Sequence, residues 1–344
     1  MRLSVAWPHE VRLGSLAGLA RSLVFLVLAS LCQAAPASPA GVPTSVWIDT
    51  DAACGQAATA DADDCWALLL ALSSPELTIH GISTVFGNVD EETVFAVTRT
   101  VLDQWAESGG EDLPPVHRGS QQAGGGAARP AIAALATALD QGQLTILALG
   151  PLTNVAALLA QHPQVADNIQ QIVAVGGTRP SQRRLFPGTS GLLHFHDFNF
   201  TQDPAAFEAI LSSGVALSLL PFEAAQKVTV TPTDLSLLSS SGGVAQWLAV
   251  MSRDWMRFWL EHLGTEGFYP FDSLAVGYVI DRQDFVCEPI PARVQKQRSL
   301  FVARDALEVS HNLEQTTSVT YCSDVNPSFG RELIARMVDL GRDW

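Results

Sequence analysis

An apolar run ends in two carboxylates at VWIDTD, residues 46–51. The pair Asp63 and Asp64 follows, and a second apolar run, WALLLAL, occupies residues 66–72. The first run predicts a buried strand and the second a helix, so the acidic residues lie where a strand ends and where the next helix begins. This pattern brings several carboxylates to one point, which favours a hard cation such as Ca²⁺.

The composition is typical of a globular protein. The chain has 344 residues, 47% of them hydrophobic, and a mean hydropathy of +0.19. That is enough apolar material for the core of one large domain or of two ordinary ones. The formal net charge is −15 and the pI is about 4.8, whereas binding to a nucleic-acid backbone needs clusters of Lys and Arg. We therefore expect no nucleic-acid partner.

The N-terminus has the three parts of a secretory signal peptide. A segment with three Arg comes first, the apolar run LVFLVLASL follows at residues 23–31, and the small-residue segment AAPASPA occupies residues 34–40. The apolar run is too short to span a bilayer as an ordinary transmembrane helix. We expect a signal peptide and short linker in residues 1–40, and a periplasmic or secreted protein without membrane contact after cleavage.

Four cysteines follow the expected cleavage region: Cys54, Cys65, Cys287 and Cys322. In an oxidising compartment they can form two disulfides, and three complete pairings are open. A bridge between Cys54 and Cys65 would brace the acidic loop that they flank. Buried free thiols, which behave as small hydrophobic side chains, are the alternative.

Apolar strand-like runs alternate along the chain with Ala- and Leu-rich stretches of helical length. Strands are expected at residues 45–48, 78–86, 145–149, 172–175 and 215–220. Helices are expected at residues 64–73, 91–106, 131–139, 153–160 and 204–211. This alternation predicts an α/β fold with an open, mostly parallel sheet and helices on both faces.

Polar or Gly-rich residues follow each of these strands. In chain order they are DTD at 49–51, GN at 87–88, GP at 150–151, GG at 176–177 and PFE at 221–223. Ligands of open parallel sheets bind beyond the carboxyl ends of the strands. We therefore expect one shared site at this edge of the sheet.

Asp51, Asp64 and Asp272 are the candidate metal ligands of that site. Calcium takes six to eight oxygen ligands, and several must come from separated segments to enclose it. Asp64 and Asp272 also begin apolar helical runs, where a carboxylate stabilises a helix without any metal. This alternative weakens for the group, because the carboxylates of residues 49–64 would repel one another and no Lys or Arg is found in residues 41–80.

Ordered motifs give the chain a resemblance to a known family. They are DTD at 49–51, DD at 63–64, FGN at 86–88, LGPLTN at 149–154, VGG at 175–177, DFN at 197–199 with DP at 203–204, and DSLAV at 272–276. The sequence thereby resembles the inosine-uridine preferring nucleoside hydrolases from about residue 44 to its end. The resemblance implies that residues 41–344 form one catalytic domain, a calcium-dependent N-ribohydrolase. Such an enzyme hydrolyses the N-glycosidic bond of purine or pyrimidine ribonucleosides to base and ribose.

The resemblance also implies a role for each matching residue. Asp51 would ligate Ca²⁺ and act as the general base toward a calcium-bound water. The other protein ligands would be Asp64, the backbone carbonyl of Leu149, and Asp272. The matches to ribose-binding positions are Asp63, Asn88, Asp197 and Asn199. Ribose hydroxyls would ligate the same ion, so we expect strong discrimination against 2′-deoxyribonucleosides.

The chain departs from the family pattern at a loop and at the base site. Eleven residues separate Asp51 from Asp63, where the family usually has a shorter loop. Phe271 stands at the substrate-binding position where pyrimidine-accepting members carry a His that helps to protonate the leaving base. Aromatic stacking is then the expected way to bind the base, with candidates Trp255, Trp259, Phe268 and Tyr269. His194 and His196 are alternative acids.

The aromatic-rich segment at residues 247–263 has a helical period, and it forms either core packing or a substrate-facing wall.

Two other functions remain open. An exported calcium-dependent nucleoside or sugar binding protein without turnover would keep the same pocket. Haloacid-dehalogenase-like phosphatases also begin with a strand that ends in Asp-x-Asp and use Mg²⁺, but they need a downstream Lys, and only Lys227 and Lys296 exist. The expected partner is a small-molecule ribonucleoside, and homo-oligomerisation is left open.

Overall fold

One mixed sheet organises the described part of the chain. The computed structural model describes residues 42–57, 59–125, 129–179, 187, 196–298, 303–314 and 317–341. The expected signal peptide in residues 1–40 and the candidate acid His194 lie outside these ranges.

Nine strands build the sheet within these ranges. They are β1 (Thr44–Thr50), β2 (Leu77–Thr84), β3 (Val116–His117), β4 (Leu144–Ala148), β5 (Ile169–Val175), β6 (Leu217–Leu220), β7 (Phe285–Arg298), β8 (Ala303–Val309) and β9 (Thr317–Val325). Their order across the sheet is β3-β2-β1-β4-β5-β6-β9-β7-β8. Neighbours from β3 to β9 pair in parallel, whereas β7 runs antiparallel to both β9 and β8.

Helices link the strands and cover the sheet. They are α1 (Asp63–Leu72), α2 (Glu91–Glu107), α3 (Pro130–Gln141), α4 (Thr153–Gln161), α5 (Phe198–Gln202), α6 (Pro204–Ser213), α7 (Phe222–Ala225), α8 (Pro232–Ser241), α9 (Gly243–Met251), α10 (Arg253–Phe258), α11 (Phe271–Ile280) and α12 (Pro327–Asp339). The five predicted strands and five predicted helices correspond to β1, β2, β4, β5 and β6 and to α1, α2, α3, α4 and α6. The predicted open, mostly parallel α/β fold is confirmed.

The sheet has a hydrophobic core on each face. Val46 and Ile48 of β1 pack in one core with Leu68 of α1, and Trp47 packs in the other core with Ile132 of α3. Successive side chains of a strand point to opposite faces. The apolar residues of β1 therefore fill both cores, which explains why this strand is continuously hydrophobic instead of alternating.

Four strands, β3, β7, β8 and β9, were not predicted, and β7 shows how a local pattern can miss a strand. Pro289 and Pro291 lie inside β7, and a proline within an apolar run lowers the expectation of a strand. Both prolines are accommodated in the antiparallel pairing, opposite Thr320 and Ser318 of β9. The C-terminal strands at this side of the sheet thus depend on pairing between distant segments, which local periodicity does not reveal.

Two disulfides connect the four cysteines. Cys54 pairs with Cys65, and Cys287 of β7 pairs with Cys322, which lies directly opposite it in β9. The first bridge closes the loop after β1 onto the first turn of α1, as the spacing allowed. The alternative of free buried thiols is wrong for all four residues.

The aromatic-rich segment is helical but not continuous. It contains the end of α9, then α10, then one π-helical turn at Trp259–Leu263. The turn ends at Gly264, whose φ of 67° is left-handed, a conformation that glycine adopts without steric cost. No helix in the described ranges has both the length and the apolarity that crossing a membrane requires.

Candidate active site

The carboxyl ends of the parallel strands surround a cavity of about 560 Å³. Its described lining includes Asp51 after β1, Asn88 after β2, Leu149 after β4, and residues that follow β5 and β6. The first residues of α11 and the aromatic residues of α10 close another side. The predicted shared site therefore lies where the strand ends indicated, and its size suits a small organic ligand.

Three carboxylates lie together, and two of them, Asp63 and Asp272, line the cavity. Asp63 and Asp64 begin α1, Asp272 stands in the first turn of α11, and each offers an oxygen within 4.8 Å of the other two. Their two helices pack against each other. All three side chains are buried, with 3% or less of their surface exposed.

Helix capping does not account for these carboxylates. The N-cap residues of α1 and α11 are Ala62 and Pro270, and neither helix has a side-chain cap. Asp64 instead accepts hydrogen bonds from the end of β1, from the hydroxyl of Thr50 and from the backbone N–H of Asp51, which lies 3.2 Å away. The Asp64 side chain thus points back to the strand end and not along its own helix.

Asp51 interacts with Asp64 and Asp272, so Asp51, Asp63, Asp64 and Asp272 form one carboxylate cluster, whose negative charges have no cationic side chain beside them in the described lining of the cavity. Burial raises the pKa of Asp51, Asp63 and Asp272 well above the ordinary value, and repulsion between neighbouring carboxylates raises each further. Burial likewise raises the pKa of Asp64 to about 6. No Lys or Arg is found among the described residues that line the cavity. A bound cation would offset the repulsion, and buried carboxylate oxygens are the ligands that hard divalent cations prefer.

Asp51 fits tightly between two glycines. Its Oδ2 accepts the backbone N–H of Asn88 at 2.9 Å. A Cβ atom at Gly87 would lie 1.9 Å from Asp51 Oδ2, and one at Gly150 would lie 2.9 Å from Oδ1. The glycines of the FGN and LGP motifs therefore leave the space that the carboxylate occupies.

Asp49 does not belong to the cluster with which the sequence analysis grouped it. It is fully buried and does not line the cavity. Its Oδ1 accepts hydrogen bonds from Ser83 at 2.5 Å and from Asn154 of α4 at 2.7 Å. Burial raises its pKa to about 7, against the effect of both hydrogen bonds. Asp49 therefore ties β1 to β2 and α4 on the face of the sheet opposite α1.

Asn199 and Asp197 hold the ends of β4 and β5. Asn199 Nδ2 donates to the carbonyl of Leu149 at 2.6 Å and to the carbonyl of Val175 at 3.3 Å. Asp197 accepts the backbone N–H of Gly177 at 2.6 Å and caps α5 through a 3.2 Å bond from Phe200. Burial raises the pKa of Asp197 to about 6. Both side chains line the cavity, next to Leu149.

Five aromatic side chains form one wall of the cavity. We use the name aromatic wall for Phe222, Trp255, Phe258, Trp259 and Phe271, all of which line the cavity. The rings of Trp255 and Phe258 stack with centroids 5.4 Å apart, and the ring of Phe271 lies 6.0 Å from Phe222 and 6.2 Å from Trp259. The segment at residues 247–263 therefore has both expected roles. Trp255, Phe258 and Trp259 line the cavity, whereas the partly buried Trp247 packs on the hydrophobic core.

Two of the candidate aromatics take other places. Phe268 is wrong as a base-stacking residue, since it is fully buried and packs edge-on against Trp66. Its backbone forms an isolated antiparallel bridge with Val230. Tyr269 stands behind the aromatic wall, with its ring centroid 4.7 Å from that of Trp259. His196 lines the cavity.

Some residues of the lining were not singled out from the sequence. Thr59 and Asp61 reach the cavity from the loop between β1 and α1. Phe222 and Phe258 also line it, as expected for the strand end at residues 221–223 and for a substrate-facing side of the segment at residues 247–263. The acidic Asp61, two residues before Asp63, was the available signal in the loop.

Comparisons with known proteins agree with this geometry. The family described as inosine-uridine preferring nucleoside hydrolase matches residues 46–329. Uridine nucleosidase 1 of Arabidopsis thaliana is 27% identical over 264 residues, which cover 68% of this chain and 76% of the relative. Non-specific ribonucleoside hydrolase RihC of Escherichia coli O157:H7 is 23% identical over 301 residues, or 81% of this chain and 95% of the relative.

Solved structures with a similar fold are also nucleoside hydrolases. The purine-preferring ribonucleoside hydrolase from Gardnerella vaginalis superposes with a TM-score of 0.71 at 21% identity, covering 87% of this chain and 99% of the other. A plant nucleoside hydrolase gives a TM-score of 0.70 at the same identity and the same coverage. Because the family match spans most of the chain, the protein belongs to the inosine-uridine preferring nucleoside hydrolase family and is an enzyme that hydrolyses the N-glycosidic bond of ribonucleosides.

Proposed function

We propose that this hydrolysis depends on Ca²⁺ held by Asp51, Asp64, the backbone carbonyl of Leu149 and Asp272. The observation that carries the proposal is that two of these ligands, Asp64 and Asp272, have oxygens within 4.8 Å of each other and of an oxygen of Asp63. Each oxygen ligand of Ca²⁺ lies roughly 2.4 Å from the ion, so two ligands of one ion are at most about 5 Å apart. The spacing of Asp64 and Asp272 therefore fits a shared cation, and Asp51 lies beside them, with its backbone N–H 3.2 Å from the Asp64 carboxylate.

Asp51 is the proposed general base. When bound, the cation lowers the pKa of a coordinated water and orients it toward the sugar. Asp51 Oδ1 would take the proton from that water, since Oδ2 already accepts the N–H of Asn88. The close fit of Gly87 and Gly150 around the carboxylate holds this oxygen in place.

Asp63, Asn88, Asp197 and Asn199 are proposed to bind the ribose. All four line the cavity. The Nδ2 of Asn199 already donates to the strand-end carbonyls, so its Oδ1 is the atom available to accept from a ribose hydroxyl. Asp63 and Asp197 carry acceptor oxygens for the other hydroxyls. Loss of one hydroxyl leaves a buried polar group unpaired, which is the physical basis for discrimination against 2′-deoxyribonucleosides.

The aromatic wall is proposed to stack the base. Trp255 and Trp259 each have a buried indole N–H without an acceptor among the described residues, and both line the cavity beside Phe271. Stacking on such rings fixes the plane of a base and excludes water from it. His196, which also lines the cavity, is the described candidate to protonate the leaving base.

We also propose that the enzyme works outside the cytoplasm. The N-terminal 40 residues have the composition of a signal peptide. The two disulfides support this location, because disulfides persist in oxidising compartments and are rare in the cytosol. Export in a native host, followed by N-terminal sequencing of the released protein, tests it, and a start before residue 30 would contradict it.

The central experiment is a nucleoside panel assayed for free ribose. The mature chain should release ribose from inosine, guanosine, adenosine, uridine or cytidine, lose this activity on chelation, and regain it with added Ca²⁺. Activity that survives exhaustive chelation would overturn the role of the cation. Binding of nucleosides without ribose release at any pH would instead support the binding protein considered above, whereas the family assignment removes the phosphatase alternative.

A further inference from the structure

A fifth carboxylate enters the cavity from the loop between β1 and α1. Asp61 lines the cavity together with Asp51, Asp63 and Asp272, and its side chain is partly buried. Asp61 is neither a proposed cation ligand nor a proposed ribose-binding residue. It is the last acidic residue of the loop before the helix that carries Asp63 and Asp64.

The loop that carries Asp61 is fixed to the rest of the protein. The Cys54–Cys65 disulfide ties its beginning to α1. Gly55, at a φ of 76°, lies so close to α9 that a Cβ there would come within 2.5 Å of the sulfur of Met251. The beginning of the loop is therefore held at two adjacent residues, Cys54 and Gly55.

Asp61 also contacts the cluster directly. Its Oδ1 accepts the backbone N–H of Asp63 at 3.0 Å. This bond holds the first residue of α1. The backbone N–H of Asp64 in turn donates to Asp63 Oδ1 at 3.0 Å. A run of hydrogen bonds thus connects Asp61 to both acids of α1.

The charge of Asp61 reaches the whole cluster. Burial is the largest cause of the raised pKa of Asp51, Asp63, Asp64 and Asp272, and repulsion from Asp61 raises the pKa of every one of them further. A carboxylate placed to repel all four is also placed to attract a cation bound among them, since both interactions follow the same distance law.

We propose that Asp61 is a positioning residue of the cation site, which strengthens cation binding by its charge and orients Asp63 through its hydrogen bond. This inference rests on the proposed cation dependence. The affinity of a calcium site rises with the number of charged ligands and nearby carboxylates and with the rigidity of the site. The loop supplies both, because it adds a carboxylate and is itself held by a disulfide.

The test is calorimetric titration of Ca²⁺ into metal-depleted protein. Asp61→Asn keeps an oxygen that accepts the Asp63 N–H but removes the charge, and Asp61→Ala removes both. We expect the dissociation constant to rise on the order of 10- to 100-fold for Asp61→Asn, and to rise further for Asp61→Ala. Asp61→Glu, which retains the charge, should stay much closer to the wild type.

Asp140→Asn is the matched control for loss of one negative charge. Asp140 is exposed near the end of α3, just before β4 starts, and therefore on the edge of the sheet opposite the cavity. Its affinity for Ca²⁺ should equal that of the wild type. An equal loss of affinity in Asp140→Asn and Asp61→Asn would contradict a local role for Asp61.

Thermal unfolding gives a second readout that does not need activity. Without cation, Asp61→Asn should unfold at a higher temperature than the wild type, because repulsion in the cluster is relieved. Addition of Ca²⁺ should raise the melting temperature less than in the wild type. Wild-type protein that binds no Ca²⁺ would overturn the proposed function, whereas tight binding by both wild type and Asp61→Asn would overturn only the role of Asp61.

Discussion

The backbone N–H of Asp51 donates a hydrogen bond to the Asp64 carboxylate, 3.2 Å away, across a loop of twelve intervening residues. The bond joins the end of β1 to the first turn of α1. The proposed general base and a proposed metal ligand are therefore held to each other before any ligand binds. Preorganisation of this kind limits the rearrangement that catalysis requires.

Asp51→Asn should lower turnover far more than it lowers nucleoside affinity. The substitution preserves shape but removes the proton acceptor, and we expect kcat to fall about 10²- to 10⁴-fold. Steady-state kinetics and equilibrium binding of a nucleoside to the variant separate the two effects. Asp49→Asn is the control, because Asp49 is buried outside the cavity. Unchanged kcat in Asp51→Asn would refute the assignment.

The metal-free protein should be more stable at pH 5 than at pH 7. Burial raises the pKa of Asp64 to about 6 and that of Asp51, Asp63 and Asp272 well above the ordinary value. The folded state then binds more protons than the unfolded state above about pH 4, so stability falls as pH rises through this range. Differential scanning fluorimetry in chelator at both pH values checks the direction.

Added Ca²⁺ should reverse this pH trend. Proton loss frees the carboxylates to bind the cation, so the increase in melting temperature should be larger at pH 7 than at pH 5. Asp272→Ala should lose most of that increase. A cation-dependent increase that is equal at both pH values would argue against a carboxylate site.

Gly87→Ala should reduce kcat more than it reduces stability. The added Cβ would lie 1.9 Å from Asp51 Oδ2, so the carboxylate must move. A displacement of about 1 Å at a reacting group can lower the rate about 10²-fold. Gly142→Ala is the matched control, since nothing lies within 4 Å of its added Cβ and its φ of 169° is extended backbone. Similar kinetics for the two variants would contradict the close fit.

Replacing Cys54 and Cys65 together by Ser should weaken both stability and Ca²⁺ affinity. Loss of a native disulfide typically lowers the free energy of unfolding by about 2–4 kcal/mol, and this one also braces the loop next to the carboxylates. The paired replacement of Cys287 and Cys322 should destabilise the protein without changing Ca²⁺ affinity, because that bridge joins β7 to β9. Calorimetric titration of both variants distinguishes the bridges.

The sequence predicted the parts of the fold that local periodicity controls. Buried parallel strands such as β1 are continuous apolar runs, and the polar end of β1 located Asp51, whereas the role of Leu149 came from the family resemblance. It did not predict β7, whose prolines hide a strand that exists through pairing with β9. Antiparallel pairing over a long sequence separation leaves a weaker local signal than a buried parallel strand.

The site was predicted by residue type and not by orientation. Asp49 was grouped with the cluster because proximity in sequence was the only guide. In the structure, Asp49 bonds Asn154 of α4 while its neighbour Thr50 bonds Asp64 of α1. Adjacent residues of a strand point to opposite faces, so this separation follows from the pleat once the bounds of β1 are known. The prediction for Phe268 failed in a similar way, because only the structure shows that its ring packs on Trp66 in the core.

The side-chain amide of Asn199 sets the spacing between the ends of β4 and β5 at the cavity. The ladder between β4 and β5 ends with the pair Ala148 and Ala174, and Asn199 Nδ2 bridges the carbonyls of the very next residues, Leu149 and Val175. One side chain from a five-residue helix thus acts as a spacer where the backbone ladder stops. The gap between the two strand ends, and with it the direction of the Leu149 carbonyl, is therefore held by a side chain of α5 and not by the backbone pairing of the sheet.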